Sequence, residues 1–161
     1  MQEVLIREIR PADNKEVARV VREVLVEMGV PKVGTAYADA ALDRMYETYN
    51  VPRATYFVID DGGAIIGCAG VAQLENYVGN VCELQKMYFL RAARGRGLGA
   101  KMMQACLDRA RELGFEKCYL ETMPYMEDAQ KLYRKTGFEY IDAPMGDTGH
   151  YSCPVWMLKT L

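Results

Sequence analysis

The sequence lacks the features that would place it in several special classes of protein. No stretch approaches the roughly 18 consecutive apolar residues of a membrane helix, and the charged start MQEVLIRE contains no apolar run of secretory length. The formal net charge is -2, so there is no overall basic field to attract nucleic acid or an anionic membrane. We therefore expect a cytoplasmic protein with no membrane or nucleic-acid partner.

Cysteine is present without a recognisable pattern. The five cysteines are odd in number, widely scattered and contain no Cys-x-x-Cys pair, which argues against both a disulfide framework and a zinc site. We expect free thiols in a reducing compartment and no metal. Of the 161 residues, 50% are hydrophobic and 26% are charged, as in an ordinary globular protein, and the length predicts a single domain over residues 1–161.

Hydrophobic periodicity predicts a mixed α/β protein. Strands are predicted at 4–10, 55–60, 64–74, 81–90, 117–121, 138–141 and 151–159. Helices are predicted at about 14–28, 38–49, 97–113 and 127–135. The order of these segments indicates one mixed sheet of about six to seven strands flanked by about four helices.

The segment RGRGLGA, residues 94–100, carries three glycines and two arginines between an apolar strand and a helix. A glycine in a helical turn costs up to about 1 kcal/mol, so three together require a reason. The amides that open a helix are unpaired and lie at its positive end, and glycine lets an oxygen approach them closely. The segment therefore predicts a phosphate or diphosphate site, with arginine as an added donor.

Two phosphate-binding motifs compete for this segment. Gly95-x-Gly97-x-x-Ala100 satisfies a relaxed dinucleotide fingerprint, with Glu121 as the acid for a ribose. Against it, residues 90–94 intervene where that motif needs a tight turn, and only 40 residues follow Glu121. A P-loop is weaker still, because no Gly-Lys-Ser or Gly-Lys-Thr closes the motif.

Two motifs give a more specific resemblance. Arg94-x-x-Gly97-x-Gly99 resembles the (Gln or Arg)-x-x-Gly-x-(Gly or Ala) signature of the GNAT superfamily of acetyl-CoA-dependent N-acetyltransferases, and residues 129–138, AQKLYRKTGF, resemble its Ala-x-x-Leu-Tyr-x-x-x-Gly-Phe motif. The order of elements agrees over nearly the whole chain. The resemblance implies a single-domain GNAT-like α/β fold whose sheet is splayed between the strands at 81–90 and 117–121.

The resemblance also implies where acetyl-CoA binds. The backbone amides of the glycine-rich loop would hold the diphosphate. The preceding strand would pair with the pantetheine arm and offer a backbone N–H to the thioester carbonyl. The implied cofactor-binding residues are Met87, Tyr88, Phe89, Arg94, Gly95, Arg96, Gly97, Leu98, Gly99 and Ala100.

Two side chains are implied for catalysis by direct attack of an amine in a ternary complex. Tyr133 matches the tyrosine that protonates the leaving thiolate, and a phenol is protonated at neutral pH. Glu83, 11 residues before Arg94, is the expected base, acting directly or through water. Glu121 and His150 remain alternative bases.

One position departs from the family pattern, and the acceptor is left open. Met126 occupies the place of an asparagine that contacts pantetheine in many members. Acceptor specificity is expected in residues 30–49 and 143–151, where aromatic or acidic side chains could line an amine pocket or pack inward: Tyr37, Asp39, Tyr46 and Tyr49. Besides acetyl-CoA and an amine, a homodimer is possible. The alternatives are a nicotinamide-dinucleotide enzyme and an inactive coenzyme A binding protein.

Overall fold

Seven strands and four α-helices follow one another in residues 3–161, the part of the chain that the computed structural model describes. The strands are β1 (Val4–Glu8), β2 (Thr55–Asp61), β3 (Ala64–Gln73), β4 (Val81–Phe89), β5 (Lys117–Thr122), β6 (Glu139–Ile141) and β7 (Val155–Thr160). The helices are α1 (Asn14–Glu27), α2 (Met45–Tyr49), α3 (Leu98–Glu112) and α4 (Glu127–Thr136). The predicted mixed sheet with about four helices is confirmed.

The strands form one sheet in the order β1-β2-β3-β4-β5-β7-β6. Neighbours are antiparallel except β4 and β5, which are parallel and joined through α3. Tight turns link antiparallel strands, whereas a parallel pair needs a crossover, and the amphipathic helix after the glycine-rich loop provides it. This crossover places the start of α3 beside the carboxyl end of β4.

Alternating side chains of β2 and β3 point to two different layers. Phe57 and Ile59 pack with buried residues of α3 and α4, such as Met102. Tyr56 and Val58 pack with α1 and α2 on the opposite face. Because both faces are covered, these strands read as continuous apolar runs. No helix in residues 3–161 combines the length and the apolar character needed to cross a bilayer.

Two predicted elements differ from the structure. The helix predicted at 38–49 is replaced by 3-10 turns at Ala36–Ala38 and Ala40–Arg44, and only α2 is α-helical. Oδ1 of Asn14 accepts a hydrogen bond from the backbone amide of Tyr46 at 2.7 Å, so a tertiary contact caps the start of α2. The last strand begins at Val155 rather than Tyr151, because the amide of Ser152 donates to Gly34 at 3.0 Å instead of pairing in the sheet.

Candidate active site

A cleft opens where β4 and β5 stop pairing. The two strands are paired at three positions, from Val81 opposite Lys117 to Glu83 opposite Tyr119. Beyond these positions β4 remains paired with β3, and β5 with β7, so the two strands diverge. Backbone groups along the parted edges have no ladder partner and can bond an extended ligand. The splay implied by the family resemblance is therefore present.

A β-bulge in β4 lies at this cleft. One residue of β3 opposes two residues of β4, Lys86 and Met87. Lys86 has a φ of 49°, in the left-handed region that non-glycine residues rarely adopt. Beyond the bulge the amide of Leu90 donates to Ile66 of β3 at 2.9 Å. Successive backbone N–H groups along a strand point to opposite sides. The N–H groups of Met87 and Phe89 therefore point away from β3 and into the cleft.

The first cavity of the cleft, of about 370 Å³, lies between the end of β4 and helices α3 and α4. Eight of the ten expected cofactor-binding residues line it, and Arg96 and Ala100 do not. Helix α4 adds Ala129, Leu132 and Tyr133. A channel with apolar walls and exposed strand backbone suits a chain that carries amides, such as pantetheine.

The glycine-rich loop has the backbone geometry that an anion site requires. Gly95 and Gly97 have φ values of 71° and 72°, and a Cβ at either position would meet nothing within 4 Å. Gly97 is the N-cap of α3 and contributes no capping side chain, and the first turn of α3 contains no acidic residue. The opening amides and the helix dipole are therefore left to an external anion. These residues fit the diphosphate of coenzyme A.

Gly99 has a further reason to be glycine. A Cβ there would lie 3.1 Å from Cδ2 of Leu132, closer than most real Cβ contacts. The missing side chain lets α3 pack closely against α4, and this contact brings α4 over the first cavity.

Protein acceptors hold both loop arginines. The guanidinium of Arg94 donates to the carbonyl of Phe89 at 2.9 and 3.1 Å and pairs with Glu27. Arg96 donates to the carbonyl of Ala92 at 2.9 Å and pairs with Asp61 at 3.3 Å. That the two arginines donate to a phosphate stays a prediction. The backbone amides at the start of α3 would need no rearrangement to bind one.

A second, smaller cavity of about 50 Å³ continues the cleft toward the carboxyl end of β5. Its polar lining includes Thr35, Glu83, Gln85, Lys86, Glu121, His150 and Cys153. Four residues line both cavities: Met87, Tyr88, Met126 and Tyr133. Tyr133, the expected acid, therefore lies where the two cavities join. Met87 of the bulge and Met126, the residue that departs from the family pattern, lie at the same place.

Glu83 is a buried carboxylic acid in this second cavity. Its exposed fraction is 4%, and Nε2 of Gln85 donates to Oε1 at 2.7 Å. Burial raises the pKa of Glu83 to about 7, the Gln85 hydrogen bond opposes this, and the charge of Glu121 adds to it. A carboxylate with a pKa near neutrality can accept a proton from an alkyl ammonium and release it again.

The alternative bases lie beside Glu83. Ligand atoms of Glu83, Glu121 and His150 all lie within 4.8 Å of one another. The hydroxyl of Tyr119 donates to Glu121 at 2.7 Å, and that of Thr148 donates to its other oxygen. This closeness suits proton transfer among the three groups, and a divalent cation could also be held at such a spacing. The structure thus brings all three predicted bases together.

His150 is held by a charged network. Its Nε2 lies 2.9 Å from Asp39, which also pairs with the buried ammonium of Lys86 at 3.1 Å. Burial alone lowers the pKa of His150, but the hydrogen bond and charge of Asp39 outweigh it and raise the pKa. Burial likewise acts to raise the pKa of Asp39, yet His150 and Lys86 bring it below the ordinary value.

Tyr133, the expected acid, lies between the two cavities and lines both of them. It is 7% exposed, and its hydroxyl has no hydrogen-bond partner among residues 3–161. Burial raises its pKa, so the phenol is fully protonated at neutral pH. The neighbouring Met126 is the N-cap of α4, and its sulfur accepts the hydroxyl of Thr122 at 3.7 Å.

The four acceptor candidates divide into two groups. Asp39 reaches the site through His150 and Lys86, and Tyr49 reaches it through a 2.5 Å hydrogen bond to Gln85. The partly buried Tyr37 and Tyr46 pack against the core.

Sequence reasoning missed Lys86, Tyr56 and Cys153. A lysine inside the strand run CELQKMYFL was the one available signal for the first. The other two look like ordinary core residues in the sequence. All five cysteines are free thiols, as expected.

Comparison with known proteins places the chain in a family. Residues 21–138 match the model of the Acetyltransferase (GNAT) family. The chain is 42% identical over 161 residues to the uncharacterized N-acetyltransferase YjgM of Escherichia coli, covering 99% of this chain and 96% of that protein.

Solved structures share the fold. A GNAT-family acetyltransferase from Staphylococcus aureus superimposes with a TM-score of 0.87 at 20% identity, covering 99% of both chains. The acetyltransferase yncA from Salmonella typhimurium, solved with its cofactor acetyl-CoA, has a TM-score of 0.79 at 19% identity, covering 99% of this chain and 94% of that one. The chain therefore belongs to the GNAT family of acetyltransferases, a family of acyltransferases.

Proposed function

We propose that this protein transfers an acetyl group from acetyl-CoA to a primary amine by direct attack in a ternary complex. The observation that carries the proposal is the junction of the two cavities. One cavity ends in an anion site at the start of α3, the other contains Glu83, and Tyr133 and the β4 bulge lie between them. An acyl carrier in the first cavity and an amine in the second would meet at this junction.

The residues divide the proton and charge transfers among them. Glu83 takes one proton from the ammonium, directly or through a water, and passes it to solvent, so that the neutral amine has the lone pair that forms the new C–N bond. Glu83 then takes the second proton of that nitrogen by the same route as the tetrahedral intermediate collapses. The backbone N–H of Met87, which faces the cleft, donates to the thioester oxygen as negative charge develops there. Tyr133 protonates the thiolate sulfur as the C–S bond breaks. Bound acetyl-CoA supplies the activated acetyl group.

Direct attack is favoured over an acetyl-cysteine intermediate. Cys153 lines the second cavity and is the one thiol that could be acylated there. Burial raises its pKa to about 12, and the nearby carboxylates Glu121 and Glu83 add to the effect. A thiol with that pKa is almost never the thiolate at neutral pH, and the thiolate is the nucleophile. The acidic side chains that suit a cationic amine thus also keep the Cys153 thiol protonated and unreactive.

The cavity chemistry supports an amine as the acceptor. Glu83, Glu121 and Asp39 supply three carboxyl groups, whereas Lys86 and His150 supply at most two positive charges. An ammonium group entering beside Glu83 would also meet Glu121, whose carboxylate is oriented by the hydroxyls of Tyr119 and Thr148.

Initial-rate kinetics with a panel of primary amines tests the proposal. Thiol release is measured while acetyl-CoA and the amine are varied together at several pH values. We expect intersecting double-reciprocal lines, and kcat/KM that rises with pH through about 7 as Glu83 ionises. Parallel lines, or exchange of label between acetyl-CoA and free coenzyme A without amine, would contradict direct attack. Thermal shift with acetyl-CoA and with NADH separates this proposal from the dinucleotide alternative, because a ligand stabilises only the fold that binds it.

A further inference from the structure

Two stacked tyrosines lie behind the floor of the cleft. Tyr49 of α2 and Tyr56 of β2 have ring centroids 4.8 Å apart and ring planes 32° apart. Their exposed fractions are 4% and 1%. Neither lines the two cleft cavities, so neither can touch a substrate there. Each hydroxyl nevertheless bonds a different part of the proposed catalytic machinery.

Tyr49 fixes the orientation of the amide that supports Glu83. Its hydroxyl donates to Oε1 of Gln85 at 2.5 Å, and Nε2 of Gln85 donates to Glu83 at 2.7 Å. An amide has a donor end and an acceptor end, and an ionised carboxylate needs the donor. Because the tyrosine donates to the amide oxygen, the NH₂ group must face Glu83. Without that hydroxyl, nothing in this chain of contacts would stop the amide from turning its oxygen toward the carboxylate.

Tyr56 fixes the peptide group that offers the oxyanion donor. Its hydroxyl donates to the carbonyl of Lys86 at 2.8 Å. That carbonyl and the N–H of Met87 belong to one planar, trans peptide group, and the two bonds therefore point in opposite directions. Holding the carbonyl from behind directs the N–H of Met87 into the cleft. A hydrogen bond to the carbonyl also polarises the N–H of the same peptide group and strengthens it as a donor.

The surrounding backbone shows that the Tyr56 contact is built into the bulge. Lys86 holds a φ of 49°, which persists only where neighbouring contacts fix it. On β3, a Cβ at Gly70 would lie 2.4 Å from Cδ1 of Tyr56 and 2.5 Å from the carbonyl of Thr55. Glycine at this position lets the ring reach the bulge.

We propose that Tyr49 and Tyr56 are positioning residues for acetyl transfer, Tyr49 acting through Gln85 on the base and Tyr56 acting through the Lys86–Met87 peptide on the oxyanion donor. The inference rests on the proposed function, and it adds two residues that never contact substrate. It also requires that the same change, loss of one buried hydroxyl, has different consequences at two stacked positions.

The matched variants Tyr49→Phe and Tyr56→Phe test this difference, each serving as the control for the other. Two quantities are measured for each: the pH profile of kcat/KM, and the stretching frequency of the carbonyl of bound acetyl-CoA carrying ¹³C at that carbon. A structural defect alone would change neither the midpoint of the profile nor the frequency of the bound carbonyl.

Tyr49→Phe should move the midpoint of the profile upward with little change in the carbonyl frequency. A midpoint one pH unit higher lowers kcat/KM about tenfold at pH 6 and leaves it near wild type at pH 9. Other ionisable groups that face Glu83 remain in both variants: Asp39, Lys86, Tyr119, Glu121, His150 and Cys153. Tyr49 also interacts with Lys86, whose positive charge lowers the pKa of Glu83, so loss of either contact moves the midpoint in Tyr49→Phe and not in Tyr56→Phe.

Tyr56→Phe should leave the midpoint in place and lower kcat about 10- to 100-fold, less than complete loss of an oxyanion donor. The bound carbonyl should vibrate closer to the frequency of the free thioester, while affinity for coenzyme A, which lacks that carbonyl, is unchanged. If the variant does not fold, 3-fluorotyrosine at position 56, a stronger donor of nearly the same size, takes its place. The carbonyl frequency should then move further from that of the free thioester.

Three results would overturn the inference. One is equal loss of activity in both variants with neither signature moved, and another is an exchange of the two signatures. The third is a stretching frequency of the acetyl-CoA carbonyl that shifts on binding to the wild type and shifts by the same amount on binding to the position 56 variant. A wild-type carbonyl unshifted on binding would instead remove the proposed oxyanion donor, and this inference with it.

Discussion

Replacing Glu83 by Gln should abolish catalysis and, at the same time, make the folded protein more stable. Glu83 is 4% exposed, and its pKa rises from an ordinary 4.5 to about 7. One pKa unit corresponds to about 1.4 kcal/mol, so ionised Glu83 costs the folded state about 3 kcal/mol above neutrality. Gln is nearly isosteric, carries no charge to bury, and keeps an oxygen to accept the Gln85 amide.

The pH dependence gives this prediction its sign. Between pH 4.5 and 7 the folded protein holds a proton on Glu83 that the unfolded chain has released. The contribution of Glu83 to wild-type stability therefore falls through this range as pH rises, and it is constant above pH 7. The variant has no such group. Its advantage should be small near pH 4.5 and should reach about 3 kcal/mol at pH 8, on the order of 6–12 °C in Tm for a domain of this size.

Urea and thermal unfolding from pH 5 to 8.5 measure the advantage, with Glu139→Gln as the control. Glu139 lies exposed on β6, so its replacement should change stability by less than about 0.5 kcal/mol at every pH. A stability difference between wild type and Glu83→Gln that does not vary between pH 5 and 8 would show that Glu83 does not titrate as a buried group. The argument for it as the base would then fail.

Four further predictions concern the two cavities. Gly97→Val should lose acetyl-CoA binding, measured by calorimetry, yet remain folded, because a Cβ at this position meets no protein atom. The control is Gly114→Val, which carries a similar backbone strain at the end of α3 and should bind acetyl-CoA normally. Arg94→Ala should weaken acetyl-CoA binding by less than about tenfold, since Glu27 and a carbonyl already occupy its guanidinium; a larger loss measured by calorimetry would assign it to the diphosphate. Tyr133→Phe should lower kcat about 100-fold with acetyl-CoA affinity retained, and an unchanged kcat would remove it as the acid. Cys153→Ala should keep the wild-type kcat with the same amine, whereas an inactive folded variant would support a covalent route.

The backbone conformation of the glycine-rich loop and of the segment around Tyr133 could largely be predicted from the sequence. The glycine-rich loop and the motif around Tyr133 are contiguous segments, and the backbone geometry they require depends on residue type and near neighbours. Positive φ at Gly95 and Gly97, and an uncapped helix start, follow from local sterics. The same locality let the hydrophobic periods predict most strands and helices.

The arrangement of the second cavity could not be predicted from the sequence in this way. Glu83 on β4, Glu121 on β5 and His150 in the loop before β7 are far apart along the chain, yet their side chains lie within 4.8 Å of one another. The pairing of β4 with β5 and the contact of His150 with Asp39 bring them together. Nothing in the sequence around Lys86 marks a bulge, because the residue with positive φ there is a lysine, not a glycine.

The sequence by itself determined an α/β fold, the glycine-rich start of α3 and the two most specific motifs, since each is encoded in residues that are adjacent along the chain. Only the tertiary structure decided which carboxylate is buried, how its pKa is shifted, and which tyrosines bond Gln85 and the bulge from behind. Burial and electrostatic coupling depend on distances in space, and the parting of β4 from β5 sets those distances.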